Sequence, residues 1–389
     1  MNINNFIRLS TVLLFIGICE TVCSQTPDLK SLRESLQPYV DAGDIPGVVT
    51  VVASPDKVLS MECFGYQDIA RNRKMTPDAL FWMASQSKPV TAVAVMMLVD
   101  EDKVSLDEPV TTYLPELNRL MVSRVKRDGW QVEELLNKPV TLRHLLSHTG
   151  GMKWVATVQE QMGKIDVMPL QMSLYASNAT PLLTEPGEAY SYSNQGINVA
   201  AAVVERVSGM SFPDFLQTRL FDPLGMQSAT FWPTEKQLAK LAAPYTMDET
   251  GKLKEITINQ LQYPLNDRMK RHAEAAGGLF CAPVDWVKFY QMLANKGVFN
   301  GKRYLSEAAI EELGKKQTGE KLSASYGLGF AVSERYMGHA GSHGTDSNID
   351  RKLNIIVMYF IQQENIPKHE EAKRAFLKQV EALYGSENK

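Results

Sequence analysis

The segment Ser85-Gln86-Ser87-Lys88 combines a hydroxyl and an amine at a spacing that suits nucleophilic catalysis. On a helix, residues three apart share a face, so the Lys88 amine would lie beside the Ser85 hydroxyl. A serine hydroxyl is a poor nucleophile until a base takes its proton, and a desolvated lysine with a lowered pKa can be that base. Alone this pattern is weak evidence, because a helix-capping serine followed by an exposed lysine has the same spacing.

The segment Tyr192-Ser193-Asn194 carries two groups that would complete such a site. A phenol near a cationic lysine ionises more easily and can shuttle a proton. The Asn194 amide can hydrogen-bond a substrate amide or hold Lys88. A turn with a half-buried tyrosine explains the same residues, and for this segment alone that alternative stays open.

The segment His339-Ala340-Gly341-Ser342 follows a predicted strand. A glycine such as Gly341 lets a substrate carbonyl approach the backbone closely. The Ser342 N–H would be one oxyanion donor and the Ser85 N–H the other. His339 would orient substrate or tune Lys88. A glycine-rich turn between two strands is the alternative explanation.

Apolar residues at helical or alternating spacing predict the elements that must position these groups. We predict helices over 29–40, 85–99 and 369–384, and strands over 48–53, 58–64, 327–332, 347–350 and 354–360. The stretch 101–270 shows loops and helices with few strand signals. The chain is therefore expected to be α+β, with one sheet domain built from both chain ends (25–100 plus 271–389) and an inserted, mainly helical domain (101–270).

Composition and charge narrow the functional class. The chain has 389 residues, of which 44% are hydrophobic and 22% charged, as in ordinary globular proteins. A net charge of −3 without a basic block argues against nucleic acid as a partner. No internal stretch reaches the roughly 20 apolar residues that a membrane span needs.

The first 24 residues have the features of a secretory signal peptide. Arg8 supplies the positive charge, residues 9–18 form a short apolar stretch, and Val22-Cys23-Ser24 precedes the expected cleavage before Gln25. An uncleaved anchor, or a lipoprotein attached through one of the two cysteines of this segment, is less favoured. We therefore expect a periplasmic or secreted protein with no stable membrane span after cleavage.

Cysteines and histidines give no sign of a disulfide framework or a metal site. Cleavage leaves only Cys63 and Cys281, for which free thiols are favoured and pairing stays open. Two histidine pairs have a four-residue spacing but lack the helix or the glutamate of a zinc motif: His144 with His148, and His339 with His343. We therefore expect no metal site.

In their order along the chain, the three motifs resemble the serine β-lactamase and penicillin-binding-protein superfamily. Within it, the chain is most similar to the class C-type branch of esterases and related hydrolases. Four more segments resemble this family: Phe81–Ala84, Leu145–Gly151, Ala275–Phe280 and Tyr326–Phe330. The match covers about residues 30 to 363. It implies a β-lactamase/transpeptidase-like fold with an antiparallel sheet flanked by helices.

The resemblance also implies a role for each motif residue. Ser85 would be the acylated nucleophile, and Tyr192 the general base and acid for acylation and deacylation. Lys88 would accept the Ser85 proton or tune Tyr192, and which of the two is the base stays open. Asn194 would bind substrate and Lys88, and the N–H groups of Ser85 and Ser342 would form the oxyanion hole. The reaction would be acyl transfer through a covalent acyl-enzyme, without metal or organic cofactor.

One position departs from the family pattern. His339 stands where β-lactamases and D,D-peptidases of this superfamily usually have a lysine that helps bind the substrate carboxylate, and a histidine holds less positive charge at neutral pH. We therefore predict an exported serine hydrolase acting on small-molecule carboxylic esters or related amides. A D-amino-acid peptidase or weak β-lactamase is the alternative enzyme, and a non-catalytic binding protein with this fold is the alternative outside enzymes.

Overall fold

The computed structural model describes residues 30–385, apart from residues 127, 323 and 365. Its main sheet contains β1 (Gly47–Ala53), β2 (Val58–Asp68), β3 (Arg73–Lys74), β12 (Ala331–Val332), β13 (Tyr336–Ala340), β14 (Asp346–Asp350) and β15 (Ile355–Phe360). These seven strands are antiparallel and lie in the order β12-β13-β14-β15-β1-β2-β3. Both ends of the chain therefore build the sheet, which confirms the predicted fold class.

The other strands lie between β3 and β12 in the sequence and form two-stranded pairs. The pairs are β4 (Phe81–Trp82) with β9 (Phe280–Cys281), β5 (Met121–Val125) with β6 (Gln131–Leu135), β7 (Tyr245–Met247) with β8 (Leu253–Glu255), and β10 (Val298–Phe299) with β11 (Lys302–Arg303). The β5–β6 and β7–β8 hairpins lie in the stretch that we expected to have few strands. In β6 half-buried positions alternate with exposed ones, and Val122 is the buried residue of β5, so the hairpin covers the core with one face only.

The helices are α1 (Lys30–Asp41), α2 (Ser87–Asp100), α3 (Leu142–Leu146), α4 (Thr157–Met162), α5 (Leu170–Asn178), α6 (Asn194–Ser208), α7 (Phe212–Leu216), α8 (Asp222–Leu224), α9 (Glu235–Leu238), α10 (Pro283–Ala294), α11 (Glu307–Gly314) and α12 (Pro367–Tyr384). The two terminal helices, α1 and α12, pack together on one face of the sheet through Leu32, Leu36, Phe376 and Val380. Helix α10 packs on the other face, and the larger core continues from it through α2 and α6.

The central strands explain why the sheet needs helices on both faces. All seven residues of β1 are buried, because β1 lies between β15 and β2 and β-branched side chains leave it on both sides. Strand β15 is buried throughout as well. Helix α2 is buried along its first twelve residues, so it is a core helix rather than an amphipathic surface helix.

One edge of the sheet differs from the prediction. The strand predicted over 327–332 is only Ala331–Val332, and the chain then forms β13, which we did not predict. A glycine-rich turn was the alternative explanation of the segment His339–Ser342. In the structure Gly338 lies inside β13, where a Cβ atom would come within 2.1 Å of the Ser347 carbonyl oxygen. Gly338 therefore allows two strands to approach each other closely and does not mark a turn.

Two further predictions concern the N-terminal segment and the cysteines. The predicted signal peptide, residues 1–24, lies outside the described residues. Within residues 30–385 no helix is both long enough and apolar enough to cross a bilayer. Cys63 and Cys281 are both free thiols in the structure.

Candidate active site

Ser85 lies at a strained junction between a strand and a helix. Strand β4 ends at Trp82, and Ala84 then takes a positive φ of 47°, which a non-glycine residue rarely adopts. A single 3-10 turn, Ala84–Gln86, leads into α2, so the expected helix start at 85 is two residues early. The turn places the Ser85 side chain at the N-terminal end of α2, where helical N–H groups lack partners within the helix.

Lys88 lies one turn further on, fully buried beneath Ser85. Its Nζ is 3.0 Å from Ser85 Oγ and 2.8 Å from the carbonyl oxygen of Ala276, at 0% exposure. Burial lowers the pKa of Lys88 to about 7, an effect that the Glu274 carboxyl opposes. The spacing of the motif therefore brings together a hydroxyl and an amine that is able to lose its proton near neutral pH.

The ring of Tyr192 also lies next to the Lys88 amine. The Lys88 Nζ lies 4.6 Å from the centre of the Tyr192 ring, and the Tyr192 hydroxyl is 3.4 Å from His339 Nε2. Burial raises the pKa of Tyr192 well above its usual range, and a hydrogen bond with the Ser85 side chain opposes that rise. This direction is opposite to the easier ionisation that we expected, so Tyr192 is a neutral phenol that can donate a proton.

Asn194 is placed differently from the expectation. It is the first residue of α6, its backbone N–H donates to the Trp154 carbonyl over 2.8 Å, and its side chain is buried. Its Oδ1 has no hydrogen-bond partner within the described part of the chain. The structure does not bring its amide into a hydrogen bond with Lys88, whose partners there are Ser85 and Ala276.

His339 lies in β13 with its ring held from both sides. Nδ1 donates to the Ala340 carbonyl over 2.7 Å, which leaves Nε2 to accept from the Tyr326 hydroxyl over 2.9 Å. Burial and the nearby Lys88 lower the pKa of His339 to about 3. His339 is therefore a neutral hydrogen-bond acceptor at physiological pH and supplies no positive charge.

Gly341 and Ser342 form the turn that follows β13. The Gly341 N–H donates to the Thr345 carbonyl over 2.6 Å, and a Cβ atom on Gly341 would come within 2.6 Å of the Met83 carbonyl oxygen. Gly341 thus packs against the residues just before Ser85. Ser342 is exposed, and its N–H has no partner among the residues described, as an oxyanion donor requires.

The sequence profile of the Beta-lactamase family matches residues 32–382 of this chain. The chain belongs to the Beta-lactamase family. This match spans both halves of the sheet and every residue of the site described above.

Relatives of this Beta-lactamase family member include esterases. Lovastatin esterase from Penicillium rubens is 27% identical over 308 residues, 75% of this chain and 74% of its own length. Esterase EstB from Burkholderia gladioli is 32% identical over 210 residues, 51% of this chain and 50% of its own. The unliganded structure of simvastatin synthase from Aspergillus terreus aligns with a TM-score of 0.77 at 21% identity, covering 92% and 98% of the two chains. The family and these relatives identify the chain as a serine hydrolase.

Residues that the motifs do not contain also build the site of this Beta-lactamase family member. Tyr326 and His148 pack around Tyr192, with ring centres 6.4 and 4.3 Å from it, and His148 Nδ1 accepts from the Ser193 N–H. Burial, with Lys88 adding to the effect, holds the pKa of His148 well below its usual range, so this ring is neutral. Both residues lie in segments that carried the family resemblance, which was the available signal for them.

Glu274 was not among the site residues predicted from the sequence. It directly precedes the Ala275–Phe280 segment of the resemblance, and no acidic residue stood out in the sequence as part of the site. In the structure its carboxyl is buried and is the one acidic group acting on the pKa of Lys88 in the described residues. Those residues also contain no group of three or more histidine, cysteine or acidic side chains that could hold a metal ion.

Proposed function

We propose that this chain is an exported serine hydrolase that forms a covalent acyl-enzyme on Ser85 and acts on carboxylic esters or related uncharged amides. The observation that carries the proposal is the buried Lys88 amine, 3.0 Å from Ser85 Oγ and with a pKa lowered to about 7. Export rests on the signal-peptide features of residues 1–24.

In this proposal Lys88, not Tyr192, is the base for acylation. Neutral Lys88 Nζ takes the proton of Ser85 as Oγ bonds to the substrate carbonyl carbon, and the carbonyl electron pair moves onto its oxygen. The N–H groups of Ser85 and Ser342 stabilise that oxyanion. When the pair returns, the bond to the leaving group breaks, and Tyr192 passes a proton to the leaving oxygen and regains one from Lys88.

Deacylation reverses these roles with water in place of the alcohol. Neutral Lys88 takes a proton from water as the water oxygen attacks the acyl carbon. Ser85 Oγ then leaves and receives that proton back from Lys88. The Tyr192 ring lies against Lys88 Nζ, and its hydroxyl bonds both Ser85 and His339. It therefore lies within reach of every atom that changes protonation.

The charge of the site favours uncharged substrates. His339 is neutral, since burial and Lys88 lower its pKa to about 3, and its ring nitrogens are occupied by Ala340 and Tyr326. A substrate carboxylate would therefore meet no cation at the position where the lysine of β-lactamases lies. The esterases among the relatives support the same substrate class.

The test has two parts. A serine-reactive phosphonate should label the mature protein at Ser85, and Ser85→Ala should abolish the label; an unlabelled, folded protein would be the non-catalytic binding protein instead. Hydrolysis of p-nitrophenyl butyrate should then far exceed that of a chromogenic cephalosporin. The reverse ratio would replace the esterase proposal by a β-lactamase or peptidase. Full activity of Lys88→Ala would refute the assignment of the base.

A further inference from the structure

The second N–H group of the proposed oxyanion hole belongs to a short loop between two strands. Residues 341–345 join the paired ends of β13 and β14, and Ser342 is the second of them. Within this β13–β14 loop, the Gly341 N–H donates to the Thr345 carbonyl over 2.6 Å, and the Gly344 N–H donates to the Gly341 carbonyl over 3.0 Å. Because the loop is so short, the place of the Ser342 N–H depends on what packs against either side of it.

One side of the β13–β14 loop packs against the residues before Ser85. Thr345 Oγ1 donates to the Met83 carbonyl over 3.5 Å. The His343 ring lies edge-on to the buried Trp82 ring, with the ring centres 4.8 Å apart. The loop therefore cannot shift on this side without disturbing the residues that lead into Ser85.

The other side of the β13–β14 loop faces helix α12 across a cleft of about 240 Å³. The segment after β15 reaches the loop there through the Gln363 N–H, which donates to the His343 carbonyl over 2.9 Å. From α12, the side chain that forms an ion pair with this end of the hairpin, within the described part of the chain, is Lys373. Its Nζ lies 3.3 Å from Oδ2 of Asp346, the first residue of β14. This ion pair joins helix and hairpin where the cleft leaves them unpacked.

The Lys373–Asp346 ion pair is shielded from solvent. The two side chains are 18% and 20% exposed. Burial works to lower the pKa of Lys373, but the Asp346 and Glu370 carboxyls outweigh it and hold that pKa above its ordinary value, so Lys373 is a cation at neutral pH. Without this cation, Asp346 would be a mostly buried carboxylate that keeps its hydrogen bond from Asn348. Such a state is unfavourable, and the end of the hairpin would relieve it by moving.

We propose that Lys373 is a positioning residue that, through Asp346, holds the β13–β14 loop with the Ser342 N–H in its donor position. The inference rests on the proposed function, in which that N–H stabilises the oxyanion. The loop is then supported on both sides, by the residues before Ser85 and by α12. Helix α12 acts on catalysis through Asp346 and not through contact with substrate.

The same hairpin offers a matched control at its opposite end. Tyr336 of β13 pairs with Asp350 of β14 there. Arg335 bonds Asp350 over 2.6 Å and also forms an ion pair with Glu381 of α12. Glu381→Gln therefore removes an ion pair between the same helix and the same hairpin, at the end away from the β13–β14 loop.

Steady-state hydrolysis of p-nitrophenyl butyrate tests the inference. A 1 Å misplacement costs about a hundredfold in rate, so a shift of about half an ångström in Lys373→Met should lower kcat by about tenfold. KM should stay within about twofold, because acylation and deacylation both pass through an oxyanion and slow together. Lys373→Arg keeps the cation and should recover most of kcat, and Glu381→Gln should match the wild type within about twofold. A folded Lys373→Met with wild-type kcat would overturn the inference.

Asp346→Asn combined with Lys373→Met covers the case in which Lys373→Met does not fold. The double variant lacks the ion pair but buries no unpaired carboxylate. Since the link to α12 is still missing, its kcat should also fall by about tenfold. Wild-type kcat in this variant would show that the loop needs no ion pair to α12, and would overturn the inference.

Amide hydrogen exchange separates this inference from the proposed function. The Gly341 and Gly344 N–H groups bond within the loop, so they should exchange faster in the double variant than in the wild type, and at the wild-type rate in Glu381→Gln. Equal rates in all three proteins would overturn the inference even if a phosphonate labels Ser85. An unlabelled Ser85 would refute the proposed function, and the exchange rates would still decide whether Lys373 holds the loop.

Discussion

Gly341 packs tightly against the segment before Ser85, and Gly341→Ala tests the proposed oxyanion hole. The added Cβ would lie 2.3 Å from Thr345 Oγ1 and 2.6 Å from the Met83 carbonyl oxygen. Thr345 is fully buried and its hydroxyl contacts the same Met83 carbonyl, so it has no free space to rotate into. The clash must therefore be relieved by moving backbone.

The size of that movement follows from the contact with Met83. Cβ atoms are essentially not found closer than 3.0 Å to such an oxygen, so the turn after β13 and the turn before Ser85 must separate by at least 0.4 Å. Oxyanion donors act at 2.7–3.1 Å, and a 1 Å misplacement costs about a hundredfold in rate. We expect Gly341→Ala to lower kcat/KM for p-nitrophenyl butyrate by roughly tenfold to a hundredfold, and stability by about 1–3 kcal/mol.

The assay compares steady-state hydrolysis and urea unfolding of the variant with those of Gly319→Ala. Gly319 has no atom within 4 Å of its would-be Cβ, so this control should match the wild type in both measurements. Folded Gly341→Ala with kcat/KM within twofold of the wild type would show that this turn does not hold an oxyanion donor in place. A fall in stability alone, with activity kept, would lead to the same conclusion.

Two further predictions concern pH and the buried ion pair. The rate of Ser85 acylation should fall about tenfold for each pH unit below about 7, because protonation of Lys88 removes the lone pair that accepts the serine proton. Phosphonate labelling rates between pH 5 and 9 measure this dependence, and a rate independent of pH would contradict it. Asp166→Ala should lower the free energy of unfolding by about 3–5 kcal/mol, because it leaves Arg271 buried without its carboxylate. A decrease below about 1 kcal/mol in urea unfolding would contradict this explanation.

The contact between Ser85 and Lys88 was predictable because its geometry is local. A spacing of three residues fixes Ser85 and Lys88 on one side of a helical segment, and the 3-10 turn that replaces the first α-helical turn leaves them 3.0 Å apart. The apolar sequence from 89 to 99 likewise indicated a buried helix, and α2 is one. Such features depend on periodicity, which a single sequence contains.

The rest of the site depends on contacts between distant segments. A glycine-rich turn was one explanation of the segment His339–Ser342, yet His339 lies in β13, and Gly338 lets β13 approach β14 closely. That reason is visible only once the two strands are paired. Asn194 was expected to hold Lys88, but the Ala276 carbonyl does so from 188 residues away. Glu274 has no motif around it, since its effect on Lys88 arises from burial and not from sequence spacing.

In the proposed function, the absence of charge around Lys88 bears on both the base and the substrate class. Lys88 can lose its proton near pH 7 because the fold surrounds it with a hydroxyl, a carbonyl and neutral rings instead of an ion pair. A lysine at position 339 would add a cation for a substrate carboxylate, and as a like charge it would lower the pKa of Lys88 further. The histidine at position 339 is neutral and hydrogen-bonded to Tyr326, so it cannot pair with a substrate carboxylate. The pKa of Lys88 is then lowered by burial, an effect that the Glu274 carboxyl opposes.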